Sequence, residues 1–191
     1  MNSLKGTDTE KNLLAAFAGE SQATNRYTFF AKVAKKEGFE QISAIFLETA
    51  ANEVSHAKRF FRFLEGGDVV ITAAFPAGKI GTTAENLRAS ALGERHEHST
   101  LYPEFAKMAD KEGFGDVARA FAAISTVEVR HEKRFLKLLE NVEKEMVFKR
   151  DEKVGWKCRV CGYVAESTEA PHTCPVCSHP QAHFELNDGN Y

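Results

Sequence analysis

Two stretches of this chain are repeated, and the repeat carries ionisable residues into positions that a folded core must bury. "FFAKVAKKEGFEQ" (29–41) resembles "EFAKMADKEGFGD" (104–116), and "EVSHAKRFFRFLE" (53–65) resembles "EVRHEKRFLKLLE" (128–140), both at an offset of 75 residues. Around the second pair, residues recur at alternating spacings of four and three. One copy reads Ile42, Phe46, Thr49, Glu53, His56, Phe60, Phe63; the other reads Val117, Phe121, Ile124, Glu128, His131, Phe135, Leu138. That spacing is one face of an α-helix turned toward a core. Both stripes are largely apolar, yet each has a Glu-x-x-His at its middle.

Four long helical segments follow from the same patterning. Thr7-x-x-Glu10 predicts a capping box opening the first, which runs to about Glu37 before Gly38. The second runs from about Phe39 to Glu65, ended by Gly66-Gly67. Thr82-x-x-Glu85 opens the third, which ends near Gly113, and the fourth runs from about Phe114 to Lys144. The connection "GDVVITAAFPAGKIG" is too long for a simple antiparallel turn. It predicts a crossover, and so an all-α, ferritin-like four-helix bundle over residues 1–147, with a small domain over 148–191.

The other two helices add carboxylates of their own. The first has the stripe Leu13, Phe17, Glu20, Thr24, Tyr27, Ala31, Ala34, and the third begins Leu87, Ala91, Glu94. Each of the four helices therefore carries a Glu near mid-length on its inward face. Glu is seldom fully buried unless paired, and each buried ion costs several kcal/mol. The stripes hold two imidazoles and no Lys or Arg at that level. Metal cations resolve the charge problem. One Glu from each of two helices plus Glu-x-x-His from each of the others is the ligand set of a di-iron or di-manganese site. The i, i+3 spacing puts both donors of each motif on one face.

The third helix also breaks the repeat. The offset is 74 from Glu20 to Glu94 but 75 from Tyr27 to Tyr102, so one residue is inserted within or just after "GERHEHS" (93–99). An extra residue inside a helix predicts a π-bulge, and Pro103 fits a local irregularity. Glu94 is the counterpart of Glu20. Glu97 has Ala23 as its counterpart and breaks the two-fold. On an ideal helix His98 faces the core as well as Glu97 does, and His96 points away.

All four cysteines fall within 20 residues: Cys158-x-x-Cys161, twelve residues, then Cys174-x-x-Cys177. Paired Cys-x-x-Cys turns aim four thiolates at one tetrahedral metal. Zinc and iron both fit the spacing, but only iron carries an electron. Cys161-Gly-Tyr163 and Cys174-Pro resemble rubredoxin knuckles and favour iron. His172, His179 and His183 are expected at the surface, since four Cys complete the site.

The combination of a duplicated Glu / Glu-x-x-His bundle with a rubredoxin-like tail resembles the rubrerythrin family. The resemblance covers essentially the whole chain and rests on Gly19-Glu20, Glu53-x-x-His56, Gly93-Glu94-x-x-Glu97, Glu128-x-x-His131 and Cys158, Cys161, Cys174 and Cys177. It implies two non-haem irons bridged by Glu53 and Glu128. Glu20 would bind one iron, and Glu94 with His131 the other. Glu97 or His56 would complete the first iron according to oxidation state, so the resemblance selects Glu97 over His98. It implies reduction of hydrogen peroxide to water, with electrons entering through an Fe(Cys)₄ centre. It also implies a homodimer or higher homo-oligomer, with an electron donor such as rubredoxin or an NAD(P)H-dependent reductase. Glu97, Tyr27 and Tyr102 would assist proton delivery. Two ferrous ions carry a charge that four carboxylates balance. The fifth, Glu97, is therefore a candidate to leave in favour of His56 on reduction.

Charge and hydropathy narrow the remaining classes. The net charge is −2; residues 1–147 hold 20 Lys/Arg against 21 Asp/Glu, and residues 148–191 hold 5 against 6. Neither part has the basic excess expected of a nucleic-acid surface. No apolar run reaches the ~20 residues of a membrane span, and "MNSLKGTDTEK" lacks a signal-peptide core, so a cytoplasmic protein is expected. Two other functions fit parts of the pattern: a ferroxidase, which needs no electron relay, and a zinc-ribbon interaction module on a metal-storing bundle.

Overall fold

The computed structural model describes residues 3–189. Helix α1 spans Asp8–Lys36, α2 Glu40–Phe61, α3 Thr83–His96, α4 Tyr102–Lys111 and α5 Gly115–Glu143. A five-residue π-helix, Glu97–Leu101, joins α3 to α4, so the three make one interrupted rod and the bundle has four rods. Rod α1 packs on α2, and α3 and α4 pack on α5. The ferritin-like bundle and its crossover, residues 62–82, are as expected. Helix α2 stops at Phe61, four residues short of the expected Glu65. Its final turn closes through the N–H groups of Arg62, Phe63 and Leu64.

The repeat extends to how the rods end. Gly38 and Gly113 both have left-handed backbone, φ +87° and +86°, which glycine adopts without a Cβ penalty. The Phe39 N–H reaches the Ala34 carbonyl (2.9 Å) and the Gly38 N–H that of Lys35 (3.1 Å). Phe114 to Ala109 (2.8 Å) and Gly113 to Asp110 (3.0 Å) repeat the motif, a six-residue helix stop that satisfies the last carbonyls. At the N-terminal ends the copies differ. Thr82 and Glu85 form a reciprocal capping box, while Glu10 reaches past Thr7 to the Gly6 N–H at 2.8 Å.

Two aromatic layers occupy the bundle core. Tyr27, Phe46 and Phe135 meet with centroids 5.3–6.1 Å apart. Tyr102, Phe121 and Phe60, their partners under the 75-residue offset, meet at 4.8–5.8 Å. All six are at most 1% exposed. Each contributes ~1.5–3 kcal/mol of burial, enough to offset a polar layer between them.

The tail is a three-stranded antiparallel sheet, order β2-β1-β3, with β1 Lys149–Cys158, β2 Val164–Glu169 and β3 Phe184–Leu186. Trp156, fully buried at its centre, donates Nε1–H to the Ser167 carbonyl (3.1 Å). Phe148 stacks on Phe39 at the α1–α2 turn with centroids 6.2 Å apart, seating the tail against the end of the bundle.

Candidate metal centres

Between the aromatic layers lie Glu20 of α1, Glu53 and His56 of α2, Glu94 of α3, and Glu128 and His131 of α5. Glu20, Glu53, Glu94 and Glu128 are each at most 1% exposed. Two sets of four close around common points: Glu20, Glu53, His56, Glu128 and Glu53, Glu94, Glu128, His131. Glu53 and Glu128 belong to both, as bridging ligands must. His56 Nδ1 lies 2.9 Å from Glu53, 3.0 Å from Glu128 and 3.8 Å from Glu20. His131 Nδ1 lies 2.8 Å from Glu128, 3.2 Å from Glu53 and 3.6 Å from Glu94. The offset that relates the sequences relates the two half-sites.

The donor atoms approach without satisfying one another. Glu20 Oε2, both oxygens of Glu53 and of Glu128, Glu94 Oε2, and Nδ1 of His56 and His131 are buried and make no hydrogen bond. Such orphans are rare in native interiors. Here their lone pairs converge on shared points instead of on each other. This is the donor chemistry of a di-iron carboxylate site. The outer oxygens of the terminal carboxylates are held by tyrosines crossing between repeats: Tyr102 Oη donates to Glu20 Oε1 at 2.5 Å, and Tyr27 Oη donates to Glu94 Oε1.

Burial and crowding shift the protonation of this layer upward. Desolvation, then the negative charge of Glu97, Glu53 and Glu128, raises Glu20 well above the ordinary carboxylate range. Desolvation, ahead of its neighbours, raises Glu94 to about 7. For the histidines, burial opposes the charged form, but the carboxylates of Glu128 and Glu53 close to each Nδ1 outweigh it, lifting His56 to about 9 and His131 to about 12. In the metal-free chain each of these groups binds its proton more tightly folded than unfolded, so stability falls as pH rises. The loss begins near pH 4.5 through the carboxylates and continues from about pH 6.5 through the histidines. Glu53 is shifted the opposite way, its burial outweighed by His131 and His56, and acts only below that window. We therefore expect the melting temperature of chelated protein to fall between pH 5 and pH 9. The increment on adding metal should grow over the same range, because binding displaces those protons. A metal increment independent of pH would contradict this.

Glu97 lies on the π-helix, half-buried and outside both sets. It lines a cavity of about 780 Å³ beneath residues 70–76, along with Arg26, Gly19, Gly93 and Phe75. Burial, then Glu94, Glu128 and Glu53, raises its pKa well above the usual range, against the pull of Arg26. The π-helix makes this placement. The Tyr102 N–H bonds the Glu97 carbonyl, five residues back. Pro103 has no N–H for the carbonyl of His98, and Ser125 Oγ donates to it instead at 3.2 Å. The His98 side chain meets Glu132 at 2.6 Å, and Arg95 meets the other Glu132 oxygen at 2.6 Å. His98 thus belongs to neither set. Glu132 as its anchor was not foreseen, and only its i+4 spacing from Glu128 hinted at an inward position. His96 is exposed.

In the tail, Cys158 Sγ lies 3.7 Å from Cys177 Sγ, and Cys161 Sγ 3.6 Å from Cys174 Sγ. A tetrahedral site with metal–sulfur bonds of ~2.3 Å has edges of about 3.8 Å, so the four sulfurs are spaced for a metal. The two knuckles match. Gly162 N–H bonds the Cys158 carbonyl and Ser178 N–H that of Cys174, both at 2.9 Å. Both residues are left-handed, φ +79° and +59°. Backbone N–H groups of Tyr163 and His179 point to the sulfurs of Cys161 and Cys177. His172 is exposed as expected; His179 and His183 instead pack edge-on to each other, half-buried.

Comparison with known proteins agrees with both centres. The family described as "Rubrerythrin" matches residues 11–139, and "Rubrerythrin, rubredoxin-like domain" matches 156–185. The chain is 60% identical to rubrerythrin of Porphyromonas gingivalis, over 99% of this chain and 94% of that one. It is 59% identical to rubrerythrin of Nitratidesulfovibrio vulgaris, over 97% of each. Its structure is similar to that of fully reduced, all-ferrous nigerythrin, with TM-score 0.63 and 31% identity, covering 97% of this chain and 92% of that one. No helix of the described residues is long and apolar enough to cross a membrane. The chain belongs to the rubrerythrin family, pairing a ferritin-like di-iron bundle with a rubredoxin-like four-cysteine domain.

Proposed function

We propose that this protein reduces hydrogen peroxide to water, H₂O₂ + 2e⁻ + 2H⁺ → 2H₂O, and protects against oxidative stress in the cytoplasm. The observation that carries the reading is a buried two-metal donor layer with hydroxyl and carboxyl groups at its edge, in the same chain as a four-sulfur centre. Two ferrous ions held there would supply the two electrons that break the O–O bond, and iron in the tail would return them singly.

The chain's own residues do the rest. Glu53 and Glu128, shared by both donor sets, would bridge the two metals. Glu20 and His56 complete one, and Glu94 and His131 the other. The four carboxylates of this arrangement balance the charge of a ferrous pair. Glu97 is the carboxylate that would stand in for His56 on an oxidised pair. Its carboxyl, pushed upward in pKa by burial and Glu94, lines the cavity where a proton would be needed for the departing oxygen. Tyr27 and Tyr102 hold Glu94 and Glu20 in place through their donated hydrogen bonds and complete the proton path. Burial and neighbouring carboxylates push both phenols well above 10, so they stay protonated donors.

The reductant is a protein donor, such as rubredoxin or an NAD(P)H-dependent reductase, docking at the tail. Two copies of the chain form the working unit. Glu53 lies thirteen residues along α2 from Glu40, about 20 Å from the end of the bundle that seats the tail. A partner's tail can approach the site more closely. Leu47, Val54 and Phe61, spaced seven residues apart along α2, are 50–56% exposed and offer an apolar face for pairing. The test is donor-driven peroxide consumption by iron-loaded protein. Turnover proportional to bundle iron supports the reading, and consumption no faster than donor alone refutes it.

A further inference from the structure

Apart from the unmatched Glu97, the ligands of the two half-sites correspond, but one hydrogen bond to a histidine does not. His131 Nε2 lies 3.3 Å from Asn52 Oδ1. With that carbonyl oxygen accepting, Nε2 holds a proton, and Nδ1 is the nitrogen left to bind a metal among Glu53, Glu94 and Glu128 once its own proton is displaced. The 75-residue offset maps Asn52 onto Val127 and His131 onto His56. Valine accepts no hydrogen bond. All polar contacts of His56 run through Nδ1, and its Nε2 has no hydrogen-bond partner among the described residues. The His56 side chain is also the more exposed, 12% against 5%.

A ligating histidine is normally oriented by a partner on its other nitrogen, and losing that partner typically weakens metal affinity ~10–100-fold. We propose that Asn52 is a positioning residue that locks His131 onto its metal. Val127, its counterpart, leaves His56 as the ligand that lets go. The spare carboxylate Glu97 borders both half-sites: its charge is the largest of those acting on Glu20, and Glu94 exerts the largest on Glu97 itself. With a spare carboxylate between the half-sites, the histidine that lacks an anchor marks the position open to exchange. The inference deepens the ligand exchange proposed above by saying why that exchange happens at one position and not its mirror image.

Zinc, which has no redox chemistry, separates this inference from the proposed reaction. Crystals of zinc-loaded protein are soaked in chelator for increasing times, and the occupancy of each position is read from the zinc anomalous signal. The wild-type protein should lose the His56 ion about 10–100-fold faster than the His131 ion. Val127→Asn should slow the first toward the second, and Asn52→Val should speed the second toward the first. Asn52→Asp, which keeps an acceptor, should stay near wild type. Equal release in the wild type overturns the inference, as does an unchanged ratio in either Val127→Asn or Asn52→Val. If Val127→Asn does not fold, Asn52→Val alone decides it. Peroxide turnover with an unchanged ratio would leave the proposed function standing and remove this inference; the expected ratios without turnover would do the reverse.

Discussion

Replacing Cys158 with serine should abolish donor-driven peroxide turnover while leaving one oxidation of the prereduced bundle intact. Cys158 is 1% exposed and lies at the end of β1, where its sulfur faces Cys177. A serine hydroxyl does not ionise near neutral pH and is a hard donor where the other three are soft. The tail loses its metal, and because metal binding is folding energy for such a knuckle, its sheet loosens as well. The bundle's ligands come from α1, α2, α3 and α5 and are untouched. Bundle metal content should therefore remain at two per chain, and a stopped-flow trace should show a single oxidation with no second cycle. Unchanged steady-state turnover would show that electrons bypass the tail.

The second large effect runs in opposite directions in the presence and absence of metal. Glu20→Gln removes a charge that is 0% exposed but keeps an acceptor for Tyr102 Oη. In the metal-free protein at pH 8 Glu20 opposes folding, since its folded pKa is raised above its unfolded value and folding must either bury the charge or take up a proton. Relieving a shift of that direction gains ~1.4 kcal/mol per pKa unit, and each kcal/mol raises the melting temperature by about 2–4 °C in a chain of this size. At pH 4 wild-type Glu20 is already protonated in both states, and the gain should vanish. With metal present the same variant should lose the ion on the His56 side and be less stable than loaded wild type. Calorimetry at the two pH values with and without metal gives all four numbers. A variant that destabilises the apo protein at pH 8 would contradict the picture of a layer under charge strain.

The parts of this architecture written in local periodicity could be read before the fold was known. The 4–3 stripe sets which face of each helix is buried, and it placed Glu20, Glu53, Glu94 and Glu128 together because all four occupy that face. The change of offset from 74 to 75 placed an inserted residue within or just after residues 93–99, and the π-helix Glu97–Leu101 overlaps that stretch. Legibility ended where a residue's role depends on a partner from another rod. His98 and Glu97 are equally inward on an ideal helix; only the π-turn and the Arg95–Glu132 pair separate them. The bond between Asn52 and His131 spans 79 positions, and neither residue type announces it. The end of α2 at Phe61 was missed because the Gly66-Gly67 signal lies beyond the closing turn.

The most direct test of a two-centre peroxidase is metal analysis and a visible spectrum of the purified protein, followed by anaerobic addition of peroxide to its reduced form. The account predicts three irons per chain and the strong visible absorption of ferric thiolate. Peroxide should oxidise the bundle irons first, one equivalent per bundle, before colour returns at the tail. A colourless tail filled with zinc, or a reduced bundle that peroxide leaves unoxidised, would contradict it.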